Sequence, residues 1–143
     1  MSNVESLRAL TAQMGHAQSL QELADAWRRG EVDLSPLVAP EVIYEDHAMP
    51  DHVGETYRGH EGIIRALESL SQPFEDLTLK LVRIVGSGDR LVSIHRLRAK
   101  AGHTGIAFDQ PIAYVWTFRD GKVVHLRGFR DPGEALETAG LKE

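Results

Sequence analysis

A chain of 143 residues with 42% hydrophobic content can build one core without disulfide or metal support, so a single domain over residues 1–143 is expected. Its formal charge of −5, from 16 basic and 21 acidic residues mixed along the chain, lacks the footprint of a nucleic-acid binder, and the absence of cysteine excludes disulfides, thiolate metal sites and cysteine nucleophiles. No run approaches the roughly 18 apolar residues of a membrane span, and Met1-Ser2-Asn3-Val4-Glu5 opens no leader, so a cytoplasmic protein without a membrane partner is the expectation.

Leu7, Leu10 and Met14 recur at helical spacing up to Gly15 and predict a short first helix. In the second, Ser19 and Glu22 form a capping-box pattern, Leu20, Leu23, Ala24 and Trp27 make one apolar stripe, and Arg28-Arg29-Gly30 closes it. Leu34 to Val38 reads as one further helical turn before Pro40. Val42, Ile43 and Tyr44 predict a short strand running into Glu45-Asp46-His47 and a loop at Met49-Pro50-Asp51-His52. After Tyr57-Arg58-Gly59, the shared face of Ile63, Ile64, Leu67 and Leu70 predicts a third helix, limited by Pro73.

From Leu77 the period becomes two. Leu77, Leu79 and Leu81 alternate with Thr78 and Lys80 as far as the Gly86-Ser87-Gly88-Asp89 turn. Strands over Leu91–Lys100 and about Ile106–Phe118 follow, and Arg119-Asp120-Gly121-Lys122 turns into a last strand, Val123–Phe129. Asp131 and Pro132 open a terminal helix with Gly140 past its end. Helices followed by a meander of long strands predict an α+β fold, a curved antiparallel sheet covered by helices.

Four strings carry a resemblance over nearly the whole chain: Trp27 through Leu34, Tyr57 through Ile63, Val115 through Val123, and Asp131 through Gly140. They resemble the SnoaL-like branch of the cone-shaped superfamily that includes ketosteroid isomerase and nuclear transport factor 2. The resemblance implies a pocket for a small apolar ligand, and it covers isomerases, cyclases, epoxide hydrolases, dehydratases and non-catalytic binders alike.

It also implies roles for particular residues. Tyr44-Glu45-Asp46 stands where the isomerase places its general base, and a carboxylate desolvated at the mouth of an apolar pocket suits removal of a proton beside a carbonyl; the same Asp46 could equally bond the amides of its own loop. Tyr114 falls at the isomerase's buried oxyanion donor, although Gln110, Ile112, Tyr114, Trp116 and Phe118 on one side of a strand also describe an aromatic core. The isomerase's catalytic tyrosine corresponds to Leu23, a departure that argues against strict ketosteroid isomerase activity.

Arg96 and Arg98 share a strand face with Val92 and Ile94, and the resemblance turns that face inward as an anion site; rim positions or pairing with Asp46 or Asp131 are the alternatives. The Arg-x-Asp string of the epoxide hydrolases reads Arg96-Leu97-Arg98. Asp131 matches the aspartate that SnoaL-type cyclases use as acid or base, and is also an ideal helix cap. The expected catalytic set is therefore Asp46, Tyr114 and Asp131, with Trp27, Ile94, Arg96, Arg98, Phe108, Ile112 and Trp116 about the ligand. Asp46-His47 with Asp51-His52 fits no metal motif, so neither metal nor cofactor is expected. The other sheet face, assigned His95, Leu97, Val123, His125 and Phe129, is expected to form a homodimer.

Overall fold

A computed structural model of the chain describes residues 2–13, 17–48, 55–71 and 74–141. Met14, Gly15, the loop Met49 to His52 and Pro73 lie outside the described residues. The elements are α1 (Asn3–Gln13), α2 (Ala17–Arg28), β1 (Val38–His47), β2 (Glu55–Arg58), α3 (Gly59–Ser71), β3 (Phe74–Ser87), β4 (Arg90–Ala101), β5 (Ala107–Arg119), β6 (Lys122–Phe129) and α4 (Pro132–Ala139). Helix α2 starts two residues before Ser19, the predicted cap, and β1 is longer than its three-residue apolar core suggested.

The strands form one sheet in the order β2-β1-β6-β5-β4-β3. Consecutive strands from β3 to β6 are antiparallel, as expected of a meander. Strand β1 instead runs parallel to β6, so the sheet is mixed: α3 carries the chain to the far edge of the sheet, and the β3–β6 meander returns it beside β1 with the same polarity. At the β5–β6 hairpin, Asp120 and Gly121 both take positive φ, 53° and 79°, the two-residue turn whose twist matches that of the strands.

Helices α1 to α3 cover one face. Leu7, Leu10, Leu20, Leu23, Ile64 and Leu67 pack there with Leu77, Leu79, Leu91, Leu97, Trp116 and Phe118 of the sheet. Surface ion pairs from Arg28 to Glu61 and Glu68, at 2.6 and 2.7 Å, link α2 to α3 across the top. Helix α4 lies on the opposite, outer face, where Ala135, Leu136 and Ala139 cover Val92, Ile94, Ala113, Val115 and Phe129.

This second layer corrects the expected facing of β4. The strand presents Leu91, Ser93, His95 and Leu97 inward, each opposite an inward residue of β5, and Ile94, Arg96 and Arg98 outward. His95, Leu97 and Val123 are therefore core residues, and of the proposed outer set only His125 and Phe129 face outward. The inversion has a physical origin. Because α4 buries the outer face of the first half of β4, Leu91 through His95 are all buried and carry no alternation to read.

Candidate functional site

Between the helices and the inner face lies an apolar cavity of about 70 Å³. Leu10, Leu23 and Trp27 close it from the first two helices, Ile63, Ala66 and Leu67 from α3, and Val42, Tyr44, Tyr114, Trp116, Val123 and Leu126 from the sheet. It exceeds the about 10–15 Å³ that one water needs and falls well below the about 300–1,000 Å³ of a drug-sized ligand pocket. The space is apolar and sized for a small guest. Leu23, which stands at the isomerase tyrosine position, lines this cavity with methyl groups in place of a hydroxyl.

One sheet row with polar members meets the cavity at Tyr114, while its other members lie off the cavity wall. Asp46 of β1, Gly128 of β6, Tyr114 of β5 and Ser93 of β4 are successive register partners. Asp46 is 5% exposed and stands one inward position beyond the cavity-lining Tyr44; its Oδ1 accepts the Ala48 amide at 2.8 Å. Gly128 lets both rings approach closely: a Cβ there would lie 3.1 Å from the Tyr114 ring and 3.2 Å from the Tyr44 hydroxyl, so any side chain would press the rings back by a few tenths of an ångström. The two phenol rings close over the space that the glycine leaves.

Electrostatics keep both phenols protonated. Burial, and then the negative charge of Asp46, push the Tyr114 hydroxyl well above its ordinary pKa. Burial does the same for Tyr44, with Tyr114 and Asp46 adding to it. Tyr57 stacks on Tyr44 with centroids 5.7 Å apart, donates to Glu55 at 2.6 Å, and is raised to about 12 by burial and by that carboxylate. At neutral pH these groups are hydrogen-bond donors, not phenolates.

A second polar chain adjoins the row. The Trp116 indole N–H donates to Ser93 Oγ at 2.8 Å, and the same oxygen shares a hydrogen bond of 2.8 Å with His95 Nε2. The His95 ring meets Tyr114 edge-on, centroids 5.5 Å apart, and its Nδ1 has no hydrogen-bond partner among the described residues. Burial lowers the His95 pKa to about 4, so the imidazole is neutral. Tyr44, Ser93 and His95 were not among the expected site residues. Period-two counting back from Asp46 finds Tyr44; the outward assignment of His95 hid the other two.

The remaining expected residues divide. Trp27, Tyr114 and Trp116 line the cavity, while Ile112 is buried on the inner face opposite His95 but off the cavity wall. Phe108, 38% exposed, meets Phe74 edge-on at 5.6 Å away from the cavity, and Ile94 packs under α4. Arg96 and Arg98 do not reach the cavity; on the outer face Arg96 donates to Asp109, and Arg98 lies 3.6 Å from the same carboxylate. The epoxide-hydrolase alternative thereby loses its arginine.

Asp131 caps α4, accepting the Gly133 amide at 3.0 Å, and is exposed and absent from the cavity wall. Asp131→Ala is expected to cost about 1 kcal/mol through the lost cap and to leave ligand binding unchanged, as urea denaturation and a binding titration would show. Among the described residues no group of three or more His, Asp or Glu could hold a metal ion, and no helix is long and apolar enough to cross a membrane. Asp51 and His52 lie outside the described residues.

A SnoaL-like domain matches residues 20–126, three-quarters of the sequence, from Leu20 within α2 to Leu126 within β6. The chain belongs to the SnoaL-like family. Solved structures with the same fold include a candidate SnoaL-like polyketide cyclase from Jannaschia sp. CCS1, at 23% identity and TM-score 0.69 over 96% of this chain and 90% of that one. A candidate isomerase from Bacillus subtilis aligns at 17% identity and TM-score 0.68 over 98% and 96%. A protein of ketosteroid isomerase-like fold from Catenulispora acidiphila DSM 44928, solved with trimethylamine, aligns at 20% identity and TM-score 0.59 over 76% and 81%. No functionally curated protein matches the sequence. At these identities the neighbouring structures establish the fold alone.

Proposed function

We propose that this SnoaL-like protein is a cofactor-independent acid/base enzyme of isomerase or cyclase type, acting on a small apolar carbonyl compound. The reading rests on one observation: Asp46, enclosed at 5% exposure, shares a sheet row with Tyr114 across Gly128, beside an apolar cavity. Asp46 removes the proton next to the carbonyl, the electron pair moves onto the carbonyl oxygen, and the Tyr114 or Tyr44 hydroxyl donates to the developing enolate. Both hydroxyls are protonated, as that donor role requires, and Trp27 and Trp116 supply walls that exclude water. The cavity volume limits the substrate to a compact molecule, in keeping with the small ligand of the Catenulispora protein.

The test is deuterium exchange of small enolisable ketones such as cyclopentanone, followed by proton NMR in D2O. Acceleration over buffer by the wild type, lost in Asp46→Asn, supports the enzyme. Saturable binding without exchange supports the second reading, a non-catalytic binder, which the otherwise apolar wall and the already engaged Trp116 N–H favour.

For the homodimer we propose contact through the outer rows that α4 leaves open, where Arg96, Arg98 and Asp109 offer both charges, because the apolar strip is already covered within the chain. Sedimentation equilibrium returning only monomer at micromolar concentration would count against it.

A further inference from the structure

The outer face contains a second cavity, of about 50 Å³, between the sheet and the last turn of α4. Its wall is cationic and hydroxylic: Arg90 of β4, Thr117 of β5, His125 and Arg127 of β6, and Thr138 of α4, with Val115 as floor. Register explains the convergence. Arg90, Thr117 and His125 are partners in one outward row, and Val115 and Arg127 are partners in the next, so three strands bring their side chains to one spot.

These groups hold unused donors. Arg90 forms no ion pair or hydrogen bond with any described side chain, and neither do the Thr117 and Thr138 hydroxyls. Arg127 uses only its Nε, 3.3 Å from Glu45 Oε2 and 3.4 Å from His125 Nε2, which leaves both Nη groups free of described partners. Among the described residues, Glu45 is the one carboxylate engaged here. It lies outside the wall, is bonded to His125, and is held below the ordinary carboxylate range first by that bond. Two guanidinium groups against one carboxylate leave a net positive pocket on a chain whose formal charge is −5.

We propose that this outer-face cavity is a binding site for a small tetrahedral oxyanion of the phosphate or sulfate type, free or as the head of a larger molecule. The Arg90 and Arg127 forks supply charge-assisted hydrogen bonds and the two threonine hydroxyls supply neutral ones, a donor set that matches oxygens arranged about a tetrahedral centre. The volume holds one such group and leaves no room for an attached ring, so an organic remainder would project into solvent. The site is separate from the inner cavity, with which it shares no wall residue.

The test is a titration of 15N-labelled protein with inorganic phosphate at pH 7 and fixed ionic strength, with chloride as control and the Thr117, His125 and Thr138 amides as reporters. Saturable shifts confined to these amides are expected, weakened about tenfold or more in Arg90→Gln and in Arg127→Gln, as loss of a charged hydrogen bond requires. Arg90→Gln is the cleaner variant, since it disturbs no described side-chain contact, whereas Arg127→Gln also frees Glu45. A parallel titration with methyl phosphate distinguishes the sources: binding as tight as that of phosphate indicates a phosphomonoester head, and weaker binding indicates the free ion. Shifts that fail to saturate, that chloride reproduces, or that persist unchanged in Arg90→Gln overturn the site.

Discussion

Asp46→Asn is expected to slow ketone exchange by about 10²–10⁴-fold, the usual contribution of a positioned general base. The substitution is nearly isosteric, and the amide oxygen can still accept the Ala48 N–H that Asp46 Oδ1 holds at 2.8 Å, so the fold and the turn after β1 are retained. What disappears is the buried carboxylate of the row that holds Gly128 and Tyr114; Glu55, the next partner in that row, is exposed. A control comes from the neighbouring phenol: without the Asp46 charge, one of the two causes that raise the Tyr114 pKa is removed, and its ultraviolet titration should begin at lower pH than in the wild type. If that titration moves and exchange does not, Asp46 is structural and the enzyme reading fails.

Acidification is expected to weaken the fold by about 3 kcal/mol through His95 alone. An unfolded histidine takes up its proton near its ordinary value of 6.5, whereas burial holds His95 down to about 4 in the folded chain. Between those values the unfolded state binds more protons, so stability rises with pH. The His95 contribution is fully present above pH 6.5 and is lost as pH falls toward 4. No opposing carboxylate intervenes, since desolvation is the sole cause of the shift and the ring's neighbours are Ser93 and Tyr114. Urea midpoints for the wild type and His95→Leu across pH 4–7 would check this: the leucine variant should lose this part of the slope. Near neutral pH its stability should match or exceed that of the wild type, because an unpartnered buried Nδ1 is replaced by apolar volume. Equal slopes would show that His95 is hydrated in the folded state.

How much of the fold and site was legible follows from which faces are covered. The β3–β6 meander, the hairpin at Asp120-Gly121 and the capped α4 were readable because each rests on local chemistry: period-two alternation, positive φ, and an Asp-Pro start with Gly140 after the end. Asp46 and Tyr114 were legible only with the resemblance as a guide, since a strand-end aspartate and a core tyrosine are ordinary residues. The arginines were misplaced although their part of β4 does alternate. Arg96, Arg98 and Lys100 are exposed while Leu97 and Ala99 are buried, and extending that alternation backward would have turned His95 and Ser93 inward. Strand β2 went unpredicted because its four residues carry no alternation of their own and exist as a strand through pairing with β1.

By itself the sequence determined every element but β2, the family and an inner apolar face rich in aromatic residues, because these depend on spacing and side-chain type within short windows. Only the tertiary structure decided that the outer face of the first half of β4 is buried as well. Once α4 folds back over the outer face, hydrophobicity no longer distinguishes inside from outside. The same packing decided that Asp46 and Tyr114 flank one glycine, that His95 is neutral and enclosed, and that Arg90, Arg127 and Thr138 meet. These residues are far apart in sequence, and their meeting is a matter of strand register.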